Sequence, residues 1–281
     1  MAVKIVTDSL SDITSDLAGE LGVTVVPLTV LFGHESYLDR VTITTDQFYD
    51  RLINGTVWPT TTQPTPAAFA EVYDGLAKET DEILVVTLSS KLSGTYESAM
   101  SARNLVEGKC RIEVIDSKTV AGGLGLIIIS AANAAKEGTN LDQLVEFVHR
   151  AMNRSHFIVY FDTLTYLAKG GRIGRAKELL GSVLSIKQIL TVKEGEMAPL
   201  TRKRSLAAGM DYLYSFVAGF SNIEGLGVEH TTTPEAANSL AKRLGSIFPE
   251  DKIFRSTVSP VLGVYGGPGA IAVTVLEAEK K

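Results

Sequence analysis

The sequence predicts an α/β protein of two lobes: an N-terminal lobe on a mostly parallel sheet covered by helices, and a C-terminal α+β lobe with a mixed sheet. Three observations predict it. Strand-length apolar runs alternate with helical patterning through the first half, the texture changes near Asn153, and three first-lobe strands end in short polar turns. A chain of 281 residues, 45% of them hydrophobic, can bury its core without staples. The lobes are placed at residues 1–153 and 154–281.

In the first lobe, the strands are expected at Val3 to Thr7, Val23 to Val30, Ile83 to Thr87 and Ile112 to Ile115. Helices fall between them. Ile13 to Leu21 stops at Gly22, Thr45 to Asn54 stops at Gly55, and Pro66 to Glu79 begins behind Thr65, which can cap it. Thr95 to Val106, Gly123 to Lys136 and Leu141 to Met152 follow. The second lobe opens with a strand at Phe157 to Phe161 and a glycine-broken helical region running through Leu184. "KQILTVKEGEMAPL" reads as a hairpin turned at Glu194 to Glu196. Strands near Leu226 to His230, Lys252 to Val258 and Ala270 to Leu276 enclose helices at Ser205 to Val217 and Pro234 to Ser246.

Composition narrows the function. The net charge of −5 and the lone basic triplet Arg202 to Arg204 argue against a nucleic-acid footprint. One cysteine, Cys110, allows no disulfide framework and no clustered metal site, so no metal is expected and a reducing compartment is. "MAVKIVTDS" passes directly into a strand pattern, which predicts no signal peptide, and the longest apolar stretch, Leu124 to Ala135, is too short to span a bilayer. The expected location is cytoplasmic.

The polar turns "VTDSLSD", "VTLSSKLSG" and "VIDSKT" point at one place, because ligands of open parallel sheets bind outside the carboxyl ends of the strands. Ser9, Ser11, Asp12 and Ser117 also suit the plainer role of capping the helices that follow. Ser93 and Gly94 stand where the helix from Thr95 begins, with free backbone N–H groups that accept an anion. Thr61, Thr62 and Gln63 form a second hydroxyl-rich loop before the helix at Pro66. A serine hydrolase would need a G-x-S-x-G elbow and a base beside the serine. The elbow is missing, and His34, His149, His156 and His230 fall outside these turns. The phosphate-loop pattern G-x-x-x-x-G-K-[ST] is also missing. The hydroxyls read as donors to an anion.

"TDSLSD", "TTTQPTP", "LSSKLSGTYESA", "IDSKTVAGGLG", "LTYLAKGGRIG" and "GGPGAIAV", in this order along nearly the whole chain, resemble the successive signatures of the DegV family of bacterial fatty-acid-binding proteins. The resemblance implies a two-lobed α/β fold holding a long-chain fatty acid (palmitate, stearate or oleate type) between the lobes, and no other cofactor. It implies a non-catalytic subunit without an ATP site of its own, which presents the carboxylate to a separate ATP-dependent fatty acid kinase for acyl-phosphate formation in phospholipid metabolism. Contact with a membrane would be transient.

Matched residue by residue, the family's carboxylate-binding positions fall on Thr61, Thr62, Ser93 and Gly94, with Thr62 where a serine is usual, and the arginine of K-G-G-R-I-G falls on Arg172, placed for presentation to the kinase. Tyr265 stands where the family often has histidine. It can donate a hydrogen bond to a carboxylate but is a poor base, which bears on phosphoryl transfer. Gln188 replaces a usual proline. Leu179, Leu180, Val183, Leu184, Ile186 and Ile189 are the candidate tail lining. At about 0.8 kcal/mol per methylene, a palmitate tail offers on the order of 11 kcal/mol before ordering costs, so the tail sets affinity and the head group sets orientation. Two other readings stay open: an enzyme acting on a lipid or acyl ester through Ser93, and a lipid sensor that does not support phosphoryl transfer.

Overall fold

The computed structural model describes residues 2–106, 108, 110–179 and 186–279. Strand β1 (Lys4–Asp8) passes through a 3-10 turn, Ser9–Ser11, into α1 (Ser15–Leu21). Gly22 caps that helix at φ 69°, and the chain returns parallel to β1 as β2 (Val23–Val26). The expected single strand to Val30 is broken at Pro27. Beyond it lie β3 (Thr29–Phe32) and its hairpin partner β4 (Glu35–Leu38), in a different sheet. Next come α2 (Thr45–Asn54), with a capping box on Thr44, and β5 (Thr60–Thr62), which pairs with β3. This three-stranded sheet, order β4-β3-β5, has no counterpart in the predicted elements, and it puts Thr61 and Thr62 on a strand where a loop was expected. Helix α3 (Pro66–Leu76), β6 (Glu82–Thr87), α4 (Thr95–Ala102) and β7 (Arg111–Asp116) complete a parallel sheet of order β2-β1-β6-β7.

Helices α5 (Gly122–Lys136) and α6 (Leu141–Arg154) lead without a loop into β8 (Ser155–Phe161). The glycine-broken region resolves into a short α7 (Thr165–Lys169) and a 3-10 segment, Gly174–Leu179. Then come β9 (Lys187–Lys193) and β10 (Glu196–Lys203), joined through Glu194 and Gly195 at φ 53° and 85°, the signs of a type I′ turn. Helix α8 (Leu206–Ala218), β11 (Ile223–His230), α9 (Pro234–Leu244), β12 (Phe254–Thr257), α10 (Pro260–Gly266) and β13 (Ile271–Glu277) follow. The second sheet, β10-β9-β8-β13-β11-β12, is mixed: only β11 and β12 run parallel. Among the described residues no helix is long and apolar enough to cross a membrane.

Helix α5 is apolar on nearly every side because it lies between the two sheets, touching β1 and β6 on one side and β8, β11 and β13 on the other. The largest core is therefore continuous across residue 153: Val3, Ile5, Leu84 and Leu124 belong to it together with Phe157, Val159 and Ala272. The opposite face of the second sheet carries a separate core under α8 and α9, built on Ile158, Tyr160, Ile189, Leu213 and Leu240.

Buried polar groups tie the halves together. Ser89 Oγ donates to the Gly195 carbonyl at 2.8 Å, fixing the β9–β10 turn against the loop after β6. Asp12 accepts the Ser259 amide at 3.0 Å and lies 3.2 Å from Arg40. Glu229 accepts the Gly122 amide at 2.7 Å, and its carboxyl hydrogen-bonds Asp12. Burial pushes the Asp12 carboxyl up and holds Glu229 well above the usual carboxylate range, so Glu229 keeps a proton and donates it to Asp12.

Candidate functional site

The polar turns that sequence reading pointed at one place divide into two groups. Most hold the fold. Asp8 accepts the amides of Leu10 and Leu88 at 3.0 and 2.7 Å, Ser9 donates to Asp39 at 2.7 Å, and Ser11 donates to the Asp8 carbonyl at 2.9 Å. Desolvation raises both Asp8 and Asp39 to about 7. Ser90 bonds Asp116 at 2.6 Å, and Ser117 folds back on Thr119. These side chains brace the turns and do not cap the α-helices that follow: Thr14 caps α1, and α4 and α5 begin behind Gly94 and Ala121 without a side-chain cap.

The second group lines a cavity. At the start of α4, Gly94 takes the N-cap position without a side-chain cap, and Ser93 Oγ stands 2.9 Å from Thr95 Oγ1. Gln63 lies against Gly94, so close that a Cβ there would sit 3.0 Å from its Nε2. Strand alternation decides between the threonines of β5. Thr61 faces the buried side, opposite Val30, while Thr60 and Thr62 are exposed. Thr61 Oγ1 hydrogen-bonds the hydroxyl of Tyr265 on α10, and both side chains line the cavity. Thr62 does not line it.

Arg172 reaches the same mouth from the glycine loop after α7. Its Nε donates to the Leu92 carbonyl at 3.2 Å and its Nη1 to the Gly170 carbonyl at 2.9 Å, with the guanidinium 5.2 Å from the centre of the Tyr265 ring. Thr61, Gln63, Ser93, Arg172 and Tyr265 thus converge from the small sheet, α4, the α7 loop and α10. Such a set offers hydroxyl, amide and guanidinium donors to an anion. Among the described residues, neither a histidine nor a carboxylate hydrogen-bonds Ser93.

Behind this mouth the cavity is lined by apolar side chains, as small-molecule pockets commonly are. Leu10, Leu28 and Leu88 wall it from the N-terminal half, and Val120 and Ala121 from the start of α5. Phe157, Val159 and Phe161, at alternate positions of β8, and Ala272 of β13 close it from the second sheet; Val261 and Leu262 of α10 complete it. Parity excludes one expected tail residue. Ile189 pairs with Tyr160, whose side chain lies on the other face of the sheet, and is fully buried in the core under α8 and α9. Leu179 is half-buried against the main core, and neither it nor Ile186 lines the cavity. Leu180, Val183 and Leu184 lie outside the described residues. The β8 wall was missed because "FIVYF" is apolar throughout and buried on both faces, so no alternation marks the side that faces the cavity.

The family model described as "Uncharacterised protein, DegV family" matches residues 2–278. A DegV domain-containing protein of Caldanaerobacter subterraneus subsp. tengcongensis is 38% identical over 275 residues, 96% of this chain and 97% of that one. Among solved structures, a DegV family protein from Thermus thermophilus, described for its fatty acid binding, is 31% identical with a TM-score of 0.90, covering 99% of this chain and 100% of its own. A stearic acid-binding protein from Eubacterium ventriosum is 25% identical with a TM-score of 0.88, covering 98% of each chain. Sequence and fold agree from end to end, and the chain belongs to the DegV family.

Proposed function

We propose that this protein binds one long-chain fatty acid, of the palmitate, stearate or oleate type, between its two sheets. The observation that carries the reading is an apolar cavity whose mouth gathers Thr61, Ser93, Arg172 and Tyr265. An acyl tail fits the wall chemistry, since burying apolar surface dominates the affinity of such ligands. The carboxylate fits the mouth, where hydroxyls, the uncapped amides at the start of α4 and a permanent cation all favour negative charge. The fatty acid bound by the Thermus and Eubacterium relatives supports the same reading.

The bound carboxylate, in this reading, is presented in the cytoplasm to a separate ATP-dependent kinase. A carboxylate oxygen attacks the γ-phosphorus of ATP, the bond to the β-phosphate oxygen breaks, and ADP leaves with an acyl phosphate formed. Arg172 supports this role because it is exposed beside the mouth and able to meet a phosphoryl group. Two experiments test the proposal. Mass spectrometry of lipid extracted from the purified protein should find one fatty acid per chain; a folded, lipid-free protein that refuses palmitate and oleate would overturn the binding reading. Arg172→Ala should retain fatty acid while losing most acyl-phosphate formation with a cognate kinase, and the reverse pattern would assign the arginine to the pocket alone.

A further inference from the structure

Helices α7 and α10 pack through a reciprocal pair of contacts. Gly170 ends α7 where the ring of Tyr265 from α10 presses in: an added Cβ would stand 2.6 Å from Tyr265 Cε1. Gly267 ends α10 where the ring of Tyr166 from α7 presses in, and its Cβ would stand 2.5 Å from Tyr166 Cγ. Gly267 also takes φ 64° and ψ −179°, a conformation essentially restricted to glycine. Each short helix therefore inserts a tyrosine into the other's glycine notch. Helices of five and seven residues do not hold themselves, so their relative position depends on this packing.

Both ends of the contact lead to the cavity mouth. The Tyr265 ring held by Gly170 directs its hydroxyl to Thr61, and the Gly170 carbonyl accepts Arg172 Nη1 at 2.9 Å. One residue thus sets the ring and the guanidinium together. On the outer side Trp58 stacks on Tyr166 with ring centres 5.0 Å apart, and Lys169 covers Trp58 at 4.0 Å, which closes the contact against the N-terminal half.

We propose that Gly170, Gly267 and Tyr166 are positioning residues, a tyrosine–glycine clasp that makes the cavity mouth discriminate a carboxylate from a neutral head group of the same tail. The inference rests on the fatty-acid reading above. Gly170, Gly267 and Tyr166 do not themselves line the cavity, so disturbing them should cost head-group recognition more than tail binding. Its geometry also predicts non-additivity, because Gly170→Ala acts by displacing the ring that Tyr265→Leu removes.

The test compares palmitate with hexadecanol by displacement of a fluorescent fatty-acid probe from the full-length protein. The parent should prefer palmitate. Gly170→Ala should weaken palmitate about tenfold, the scale of one mis-set hydrogen bond to a charged group, with hexadecanol unchanged within about twofold. Tyr166→Leu inserts no bulk, so it covers the case in which Gly170→Ala fails to fold; it should narrow the same preference. Adding Tyr265→Leu to Gly170→Ala should cause little further loss of palmitate. A preference kept at the parental ratio in both single variants, or equal weakening of both ligands, would overturn the clasp. A folded parent that binds neither ligand would overturn the fatty-acid reading itself.

Discussion

Tyr265 and Thr61 share one hydrogen bond at the cavity mouth, and an arriving carboxylate competes for the same protons. Tyr265→Phe removes a donor while keeping the ring that packs on Gly170, so it should weaken fatty acid binding by about 1 to 3 kcal/mol with an unchanged circular dichroism spectrum. Ser93→Ala should cost a similar amount. Thr62→Val should change affinity by less than about 0.5 kcal/mol, because its side chain is exposed and away from the cavity. Isothermal titration with palmitate separates these cases, and a large loss in Thr62→Val would mean that the strand turns its other face to the ligand. The motif was legible in the sequence but its parity was not. Three consecutive threonines carry no alternation from which an inward face can be read. Arg172, Ser93 and Tyr265 were found because matched motif positions name them, whereas Leu10, Leu28 and Val261 escaped because their joining depends on the docking of two sheets.

The longer elements were legible where they repeat their period: α5, α6 and the strands of the parallel sheet stand within a few residues of their expected places. The small sheet was not, since strands of three or four residues are too short to show alternation. Helix α10, which carries Tyr265, did leave a local signal in Ser259 as N-cap and Pro260 at the first helical position, and glycine richness obscured it. The loop after β6 illustrates how one element serves two ends. Ser93 faces the cavity, while four residues earlier Ser89 ties the same loop to the β9–β10 turn. Ser89→Ala leaves the Gly195 carbonyl without this donor in a buried contact and should destabilise the protein by about 1 to 2 kcal/mol. Thermal unfolding should show a fall of roughly 2 to 8 °C. An unchanged melting temperature would show that the turn is held without Ser89.

The two sheets are locked by α5 and by a buried acidic cluster that no periodicity predicts, because it assembles from β1, β4, β11 and their following loops only in the folded molecule. Asp8, Asp12, Asp39 and Glu229 are all buried, with Arg40 as the cation beside Asp12 and the Tyr49 hydroxyl close enough to feel their charge. Burial raises all four carboxyls, so the folded state holds protons that the unfolded chain releases near pH 4. Folding therefore takes up protons, and the stability these groups contribute is lost as pH rises. For Asp8 and Asp39 that loss is complete soon above pH 7, where their titration ends. Burial also holds Glu229 well above the usual carboxylate range, and its ionisation would set a second negative charge against Asp12 in a dry junction. The ligand-free protein should accordingly lose thermal stability as pH rises through about 7 and beyond. Glu229→Gln can donate to Asp12 and accept from Gly122 without a titrating proton, so it should match the parent in acid and lose less as pH rises. Cys110, whose thiol is also pushed up, slopes in the same direction in both proteins and cancels in the comparison. Parallel melting curves across this range, or a variant already unfolded at pH 7, would show that the proton on Glu229 is not what holds the sheets together.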